Sequence, residues 1–372
     1  MAPDSRSKTL GFVGLGNMGS QMASNLATYA QENGLPRLRM WNRTRGKIEY
    51  LAQEGYCEIV SSLQEVADQC DIVHTCLAND EVALSVYRQL FQAANVRRTI
   101  FVDHSTLFPT TSTALQSEAS SKGAHFLSCP VFGPPAAAKS AGLLVVVSGD
   151  ASARETVKPY LVPTIGKAIL DCGDDSSKGA LMKILGNNCI LGTIELLSES
   201  FTLAEKTGFD AGIFYDFIQQ WFPAAAWVNY GKKIRDGTFS GKTGFKLDGG
   251  MKDAAFIRRL GAETSTPTPI IDQAWNHLTT AKAIGGDGLD WSACSAGMRV
   301  TAGLPPFKGE DFSISQPAQT NGVGDGELPH TGVGVEGTVD SHVAGKKDAA
   351  HRANGVVSEG LVNGDGPADA VP

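Results

Sequence analysis

The chain has 372 residues, 42% of them apolar, and a formal charge of −7 at neutral pH. That length accommodates about two domains with ample core, and the acidic balance without a basic stripe excludes a non-specific nucleic-acid binder. No apolar run reads as long enough to span a bilayer, and the first residues, Met1 to Lys8, lack the apolar centre of a secretory signal.

The first element is the strand-like Leu10-Gly11-Phe12-Val13, which runs into Gly14-Leu15-Gly16-Asn17-Met18-Gly19 and then a helical pattern through Leu26. Gly14, Gly16 and Gly19 have G-x-G-x-x-G spacing after a strand and before a helix, which is the context a dinucleotide-binding turn requires. Gly14 permits the tight turn, Gly16 lets a pyrophosphate approach the backbone, and Gly19 lets helix and strand pack closely. Asn17 and Met18 open the helix, where free N–H groups and the positive end of the dipole meet phosphates.

Leu38-Arg39-Met40-Trp41 reads as the next strand, and it ends in Asn42-Arg43-Thr44-Arg45. An NAD site of this type places a carboxylate there for the ribose 2′-hydroxyl. None is present. Asn42 suits a ribose hydroxyl, and Arg43 and Thr44 suit a 2′-phosphate, so NADP(H) is expected over NAD(H).

Further strand-like runs follow at 71–77, 99–103, 126–131 and 143–147, alternating with helical patterns. Short β-branched runs of this kind build a doubly wound, mostly parallel sheet, so residues 1–174 are expected to form an α/β Rossmann domain. From Ser176 to Thr207 apolar residues recur at helical spacing without a proline, and Gly208 is a plausible stop. This long helix is expected to join the first domain to an all-α second domain over 175–302, whose helices are punctuated by Pro223, Gly241, Gly244, Pro267 and Pro269. Residues 303–372 are rich in Gly, Pro, Ser, Asp and Glu, with Phe307 and Phe312 the only aromatics, and are expected to be a disordered tail. The seven cysteines are scattered, with no C-x-x-C pair and no Cys/His spacing suited to zinc. No metal is expected, and a reducing, cytoplasmic setting fits.

With these pieces placed, the chain resembles the β-hydroxyacid dehydrogenases, the group containing 3-hydroxyisobutyrate dehydrogenase and the glyoxylate/succinic semialdehyde reductases, within the superfamily of the 6-phosphogluconate dehydrogenase NADP-binding domain. The segments that carry the resemblance are Gly11 to Gly19, Asp103-His104-Ser105-Thr106-Leu107-Phe108-Pro109, Cys129 to Pro135 with Ala141-Gly142-Leu143-Leu144, Lys183-Ile184-Leu185-Gly186-Asn187-Asn188, and Lys252-Asp253. The resemblance implies oxidoreduction of a small carbonyl or alcohol, Lys183 and Asn187 as the catalytic pair, and a homodimer or homotetramer built through the helical domains. It also implies that Thr106 lies beside the nicotinamide and that Lys252 reaches its ribose, with Asp253 orienting that lysine at the substrate side. Leu77 and Ala78, just after a strand, would line the nicotinamide-ribose side.

The residues themselves give Lys183 and Asn187 a shared helix face, since they are i and i+4. Gly179 and Gly186 are read as leaving room there for a ligand. A carbonyl accepting a hydride needs a proton donor at the nascent alkoxide, and an ammonium in a partly desolvated site supplies it. Thr106 has a second reading as the cap of a helix begun by Pro109.

One segment departs from the family. Phe132-Gly133-Pro134 stands where a Ser-Gly-Gly cradle holds a substrate carboxylate. Phenylalanine lacks the hydroxyl, and Pro134 and Pro135 lack N–H donors. The substrate is therefore expected to differ from short 3-hydroxy acids, with Trp221, Phe222, Trp227 and Tyr230 available to extend an apolar wall. Two rival readings stand beside this one. The first is an imine reductase, although that group often carries another residue at the lysine position. The second is a dehydrogenase-like scaffold without catalysis, against which the intact Lys183 and Asn187 argue.

Overall fold

The computed structural model describes residues 8–308 apart from 48 and 54. Strand β1 (Leu10–Val13) runs through the glycine turn into helix α1 (Asn17–Glu32). The alternation continues with β2 (Leu38–Trp41), α2 (Glu49–Gln53), β3 (Cys57–Ile59), α3 (Leu63–Gln69), β4 (Ile72–Thr75), α4 (Asp80–Leu90), β5 (Ile100–Asp103), α5 (Pro109–Ser121) and β6 (His125–Ser128). Then come β7 (Val131–Phe132), α6 (Pro135–Lys139), β8 (Leu143–Gly149), α7 (Ala151–Leu161), β9 (Gly166–Asp171) and the long α8 (Ser176–Lys206). Helices α9 (Ala211–Trp221), α10 (Ala225–Asp236), α11 (Leu247–Glu263), α12 (Pro269–Gly285) and α13 (Cys294–Thr301) follow.

The sheet order is β3-β2-β1-β4-β5-β6-β8-β7, with β9 beside β8. Strands β1 to β6 are parallel, and β8 runs antiparallel to β6 and β7. Because the first six strands share a direction, the loops after β1, β4, β5 and β6 all emerge at one edge. The order reverses between β1 and β4, which places the glycine turn and the loop after β4 on either side of the crevice where such sheets take ligands.

Alternation along each strand divides the core. Leu10 and Phe12 pack with Met22 and Leu26 of α1 on one face, and Val13, Val73 and Phe101 pack with Tyr87 and Leu90 of α4 on the other. The side chains of α8 join the helical domain's core through Ile184, Leu191, Ile194, Leu197 and Phe201. Asp175 caps the start of α8 by accepting from Ser177 N at 2.9 Å. Gly208 ends it with φ +71°, and Phe209 N returns to Ala204 O at 2.8 Å. A left-handed residue just past the last turn is the usual terminator.

Several expectations are corrected. The run 126–131 is two strands, because Pro130 has no N–H for a ladder and the chain bends to pair β7 with β8 instead. Strands β3 and β9 have no place among the expected strand runs; β3 has only three residues, and β9 is largely exposed, with an apolar part of only Ala168-Ile169-Leu170. Helix α8 does contain a stretch as long and apolar as a membrane span. One side of that helix supplies core, and Leu185, Leu196 and Leu203 leave the rest of it apolar and exposed. The expected tail begins too early: Phe307 is buried against Phe239, Pro305 O accepts from Arg299 Nε at 2.8 Å, and Lys308 pairs with Glu205 at 3.0 Å. The rest of the expected tail, 309–372, lies outside the described residues.

Candidate active site

The glycine turn is fixed by sterics. Gly14 has φ +94°, and a Cβ there would sit 2.4 Å from Cys76 O. A Cβ on Gly19 would sit 2.1 Å from Gly14 O, so any side chain would push α1 off the turn. Gly16 has nothing within 4 Å of its Cβ position, and it stands exposed with Asn17 at the start of α1, with Met18 half-buried. An open backbone at a helix N-terminus is a shape a dinucleotide pyrophosphate fits. Asn42 braces the turn: its Oδ1 accepts from Leu15 N at 2.9 Å and its Nδ2 donates to Thr44 O at 2.8 Å. That double tie ascribes to Asn42 a structural duty the sequence reading did not foresee. Arg43 and Thr44 are exposed beside it.

The loops after β4 and β5 hang on one carboxylate. Asp103 is 1% exposed. Its Oδ2 accepts from Thr75 Oγ1 at 2.5 Å, Tyr87 OH at 3.2 Å and Ser105 Oγ at 3.2 Å, and its Oδ1 accepts from Ser105 N at 2.8 Å. Burial raises the Asp103 pKa against the pull of those bonds. Ser105 Oγ in turn accepts from Leu77 N at 2.8 Å, and Asp80 Oδ1 accepts from Phe108 N at 3.0 Å. Leu77, exposed Ala78 and Thr106 are thus held in register. Thr106 does not cap α5, because the chain stays extended until Phe108 and Pro109 opens the helix. Behind this bracket lies a buried histidine pair. His104 Nδ1 donates to Cys129 O at 2.8 Å, which leaves its Nε2 to accept from His74 Nδ1 at 3.0 Å. Burial pushes His104 down to about 4, and burial together with His104 holds His74 well below the usual range.

Helices α8 and α11 bring side chains to the same edge. Lys252 Nζ donates to Thr106 O at 2.8 Å and lies 3.0 Å from Asp253 Oδ1. Asp253, 2% exposed, accepts from Asn187 Nδ2 at 2.6 Å through its other oxygen. Lys183, one turn before Asn187 on α8, donates from Nζ to Val131 O at 2.9 Å. A continuous series of contacts therefore runs from the loop after β5 through Lys252, Asp253 and Asn187 to Lys183's helix. Burial pushes the Lys183 ammonium down to about 8; Asp253 opposes that shift and Lys252 adds to it. An ammonium of that acidity has N–H groups beyond the one on Val131, and it exchanges protons near neutral pH.

Phe132 lies under this lysine, with Nζ 4.2 Å from the ring centroid. Gly133 and Pro134 are exposed next to it. The two glycines read as making room for a ligand make room for protein instead. A Cβ on Gly179 would be 2.4 Å from Ser148 Oγ, and one on Gly186 would be 2.3 Å from Phe132 Cζ. The aromatics proposed as an outer wall are not gathered into one: Phe222 stacks on Trp227 at 4.5 Å, Tyr230 OH accepts from Trp291 Nε1 at 2.9 Å, and Trp221 is 72% exposed.

Sequence reasoning missed Asp103's role as a hub and the carbonyl of Val131. It also missed a buried cluster in the helical domain, where Glu195, His277 and Cys294 bring donor atoms within 4.8 Å of one another. His277 Nδ1 meets Glu195 Oε1 at 2.7 Å and Cys294 Sγ donates to Glu195 Oε2 at 3.1 Å. Those residues are far apart in the chain, so no spacing could reveal them.

A family model described as the NAD binding domain of 6-phosphogluconate dehydrogenase matches residues 9–173. A second, described as NAD-binding of NADP-dependent 3-hydroxyisobutyrate dehydrogenase, matches residues 177–296. The NADH-dependent oxidoreductase ucdB of Aspergillus ustus is 30% identical over 290 residues, 77% of this chain and 98% of that protein. The structure of Mycobacterium tuberculosis 3-hydroxyisobutyrate dehydrogenase with L-serine superimposes with a TM-score of 0.69 at 26% identity, covering 79% of this chain and 100% of that one. An imine reductase from Streptomyces aurantiacus shares the fold with a TM-score of 0.51 at 18% identity, covering 77% and 98% of the two chains.

Proposed function

The chain belongs to the β-hydroxyacid dehydrogenase family of NAD(P)-dependent oxidoreductases acting on CH–OH groups, and from that premise we propose that it works with NADP(H) on a carbonyl or alcohol carbon, with Lys183 as general acid and base. The observation that carries the proposal is the Lys183 ammonium, drawn down to about 8 and joined through its helix to Asn187, Asp253, Lys252 and the Thr106 carbonyl. The nicotinamide supplies or accepts the hydride when bound. In reduction Lys183 gives its proton to the carbonyl oxygen as negative charge builds there, and in oxidation the neutral amine takes the hydroxyl proton. Asn187 and Asp253 keep α8 and α11 together, and Asp253 balances the second ammonium of Lys252.

Support for NADP(H) comes from the end of β2, where Arg43 and Thr44 stand exposed and no carboxylate is present. The printed NADH dependence of the Aspergillus relative points the other way. Phe132, Gly133 and Pro134 support a substrate other than a short 3-hydroxy acid, and retention of Lys183 favours carbonyl over imine chemistry. Ile213, Phe217 and Trp221 on α9, 62%, 48% and 72% exposed, support a homodimer or homotetramer through the helical domain, because a monomer seldom leaves so much apolar surface together.

The test is a panel of aldehydes and cyclic imines with NADPH and NADH, and of 3-hydroxy acids with NADP+ and NAD+, each followed by absorbance of the reduced cofactor. Turnover of aldehydes with a higher kcat/KM for NADPH is expected. A preference for NADH overturns the cofactor assignment, turnover of imines alone overturns the carbonyl reading, and efficient 3-hydroxyisobutyrate oxidation overturns the substrate expectation.

A further inference from the structure

Phe132 and Gly186 come from different parts of the fold and fit each other. Phe132 ends β7 and Gly186 lies on α8, one turn beyond Lys183. The ring occupies the volume a side chain at 186 would need, with Cζ and Cε1 at 2.3 and 2.5 Å from the Cβ position. The same ring presents its face to the Lys183 ammonium at 4.2 Å, while the neighbouring Val131 carbonyl accepts from that ammonium at 2.9 Å. Two successive residues of one strand thus seat the lysine, one by hydrogen bond and one by cation–π attraction.

The segment that follows is poor in donors for an anion. Pro134 caps α6 and Pro135 begins it, so neither offers an N–H. The amides of Ala137 and Ala138 both turn back to Pro134 O, at 2.9 and 3.1 Å. Lys252 is committed to Thr106 O and Asp253. The ammonium of Lys183 faces the ring and keeps hydrogens beyond the one on Val131 O, and a carboxylate placed there would compete with the reacting oxygen for them.

We propose that Phe132 and Gly186 are a matched pair that seats Lys183 on an aromatic face in place of a carboxylate cradle, so that the substrate is a carbonyl compound with no acidic group near the reacting carbon. Phe132 is in this sense both a positioning residue for Lys183 and the determinant of substrate class. The proposal rests on the catalytic role given to Lys183 above. A side chain on Gly186 swings the ring away from the ammonium. Removing the ring leaves Gly186 free to accept a side chain at little cost.

The experiment uses the full chain with NADPH and two aldehydes, 3-phenylpropanal and succinic semialdehyde. Wild type is expected to favour 3-phenylpropanal in kcat/KM by at least about tenfold, the scale of one unmet charge-assisted contact. Phe132→Ser narrows or reverses that ratio. Gly186→Ala lowers kcat by about tenfold, and the Phe132→Ser, Gly186→Ala double variant is no slower than Phe132→Ser alone. NADPH fluorescence and Tm show that each variant is folded. An unchanged aldehyde ratio in Phe132→Ser, or losses that multiply in the double variant, overturns the proposal. Lys183→Ala, measured alongside, reports separately on the functional reading: normal turnover sinks that reading, whereas lost turnover with NADPH still bound keeps it whatever the pair does. Should neither aldehyde react, NMR titration of lysine-labelled holoenzyme decides. Phe132→Leu keeps the site dry but removes the ring face, so the Lys183 pKa falls below its wild-type value; an unchanged pKa overturns the seat.

Discussion

On the side of β1, β4 and β5 the groups gathered at the sheet edge belong to the main chain: the turn at Gly14 and Gly16, the amide of Leu77, the carbonyl of Thr106. On the side of α8 and α11 they are the ends of side chains, namely Lys183, Asn187, Lys252 and Asp253. The backbone side is held because its loops are tied down by side-chain hydrogen bonds, as the buried Asp103 and the half-buried Asn42 show. The side-chain side is adjustable, because a substitution there alters a functional group without moving a loop. A cofactor common to many reactions suits the first kind of construction, and a particular substrate suits the second.

The comparison predicts that the two sides fail differently. Lys183→Ala should lower kcat by about 10²–10⁴-fold, the usual worth of a general acid, while stopped-flow fluorescence shows NADPH binding unchanged. A parallel loss of NADPH affinity would mean that the two sides are not separable. The pH profile sharpens the same point. With Lys183 near 8 and the ammonium as the working form, kcat for carbonyl reduction should be flat below that value. Above it kcat should fall by about tenfold per pH unit. Alcohol oxidation, which needs the neutral amine, should rise through the same pH; a reduction rate that stays level to pH 10 would exclude this lysine as the acid. On the backbone side, Arg43→Ala should raise KM for NADPH by about tenfold or more and leave both kcat and the KM for NADH nearly unchanged.

The smallest effect concerns stability. His74 and His104 are held neutral in the fold, below their unfolded value near 6.5. Unfolded chain therefore binds more protons, so stability is complete above about 6.5 and declines toward pH 4, by at most about 1.4 kcal/mol per pH unit for each histidine. Urea unfolding at pH 7, 6 and 5 should show that decline, and His74→Phe should reduce its slope. An identical slope in that variant would assign the acid sensitivity to other groups.

Legibility in the sequence followed the range of the interactions. The strand, glycine turn and α1 were readable because the three glycines fall at fixed spacing within one short stretch between an apolar strand and a helical pattern, and α8 because its apolar spacing and Gly208 are local. The bounds of strand β9 were not readable, since an exposed edge strand needs no apolar alternation and only Ala168-Ile169-Leu170 marks it. Asn187 and Asp253 could be matched to a motif, but their 2.6 Å contact joins residues 66 apart and only tertiary folding makes it. Gly186 shows the hardest case: a helical glycine signals missing volume, and the sequence does not say whether a ligand or a phenylalanine fills it.

Asp103 has one further consequence. Its hydrogen bonds run to Thr75, Tyr87 and Ser105, all within the sheet domain, and to neither α8 nor α11. Side chains on the two helices can then be exchanged over evolutionary time, or under an engineer's hand, with the hydrogen bonds of this carboxylate undisturbed. New chemistry is best sought by redrawing the helical side and the 131–135 segment, with this carboxylate left alone.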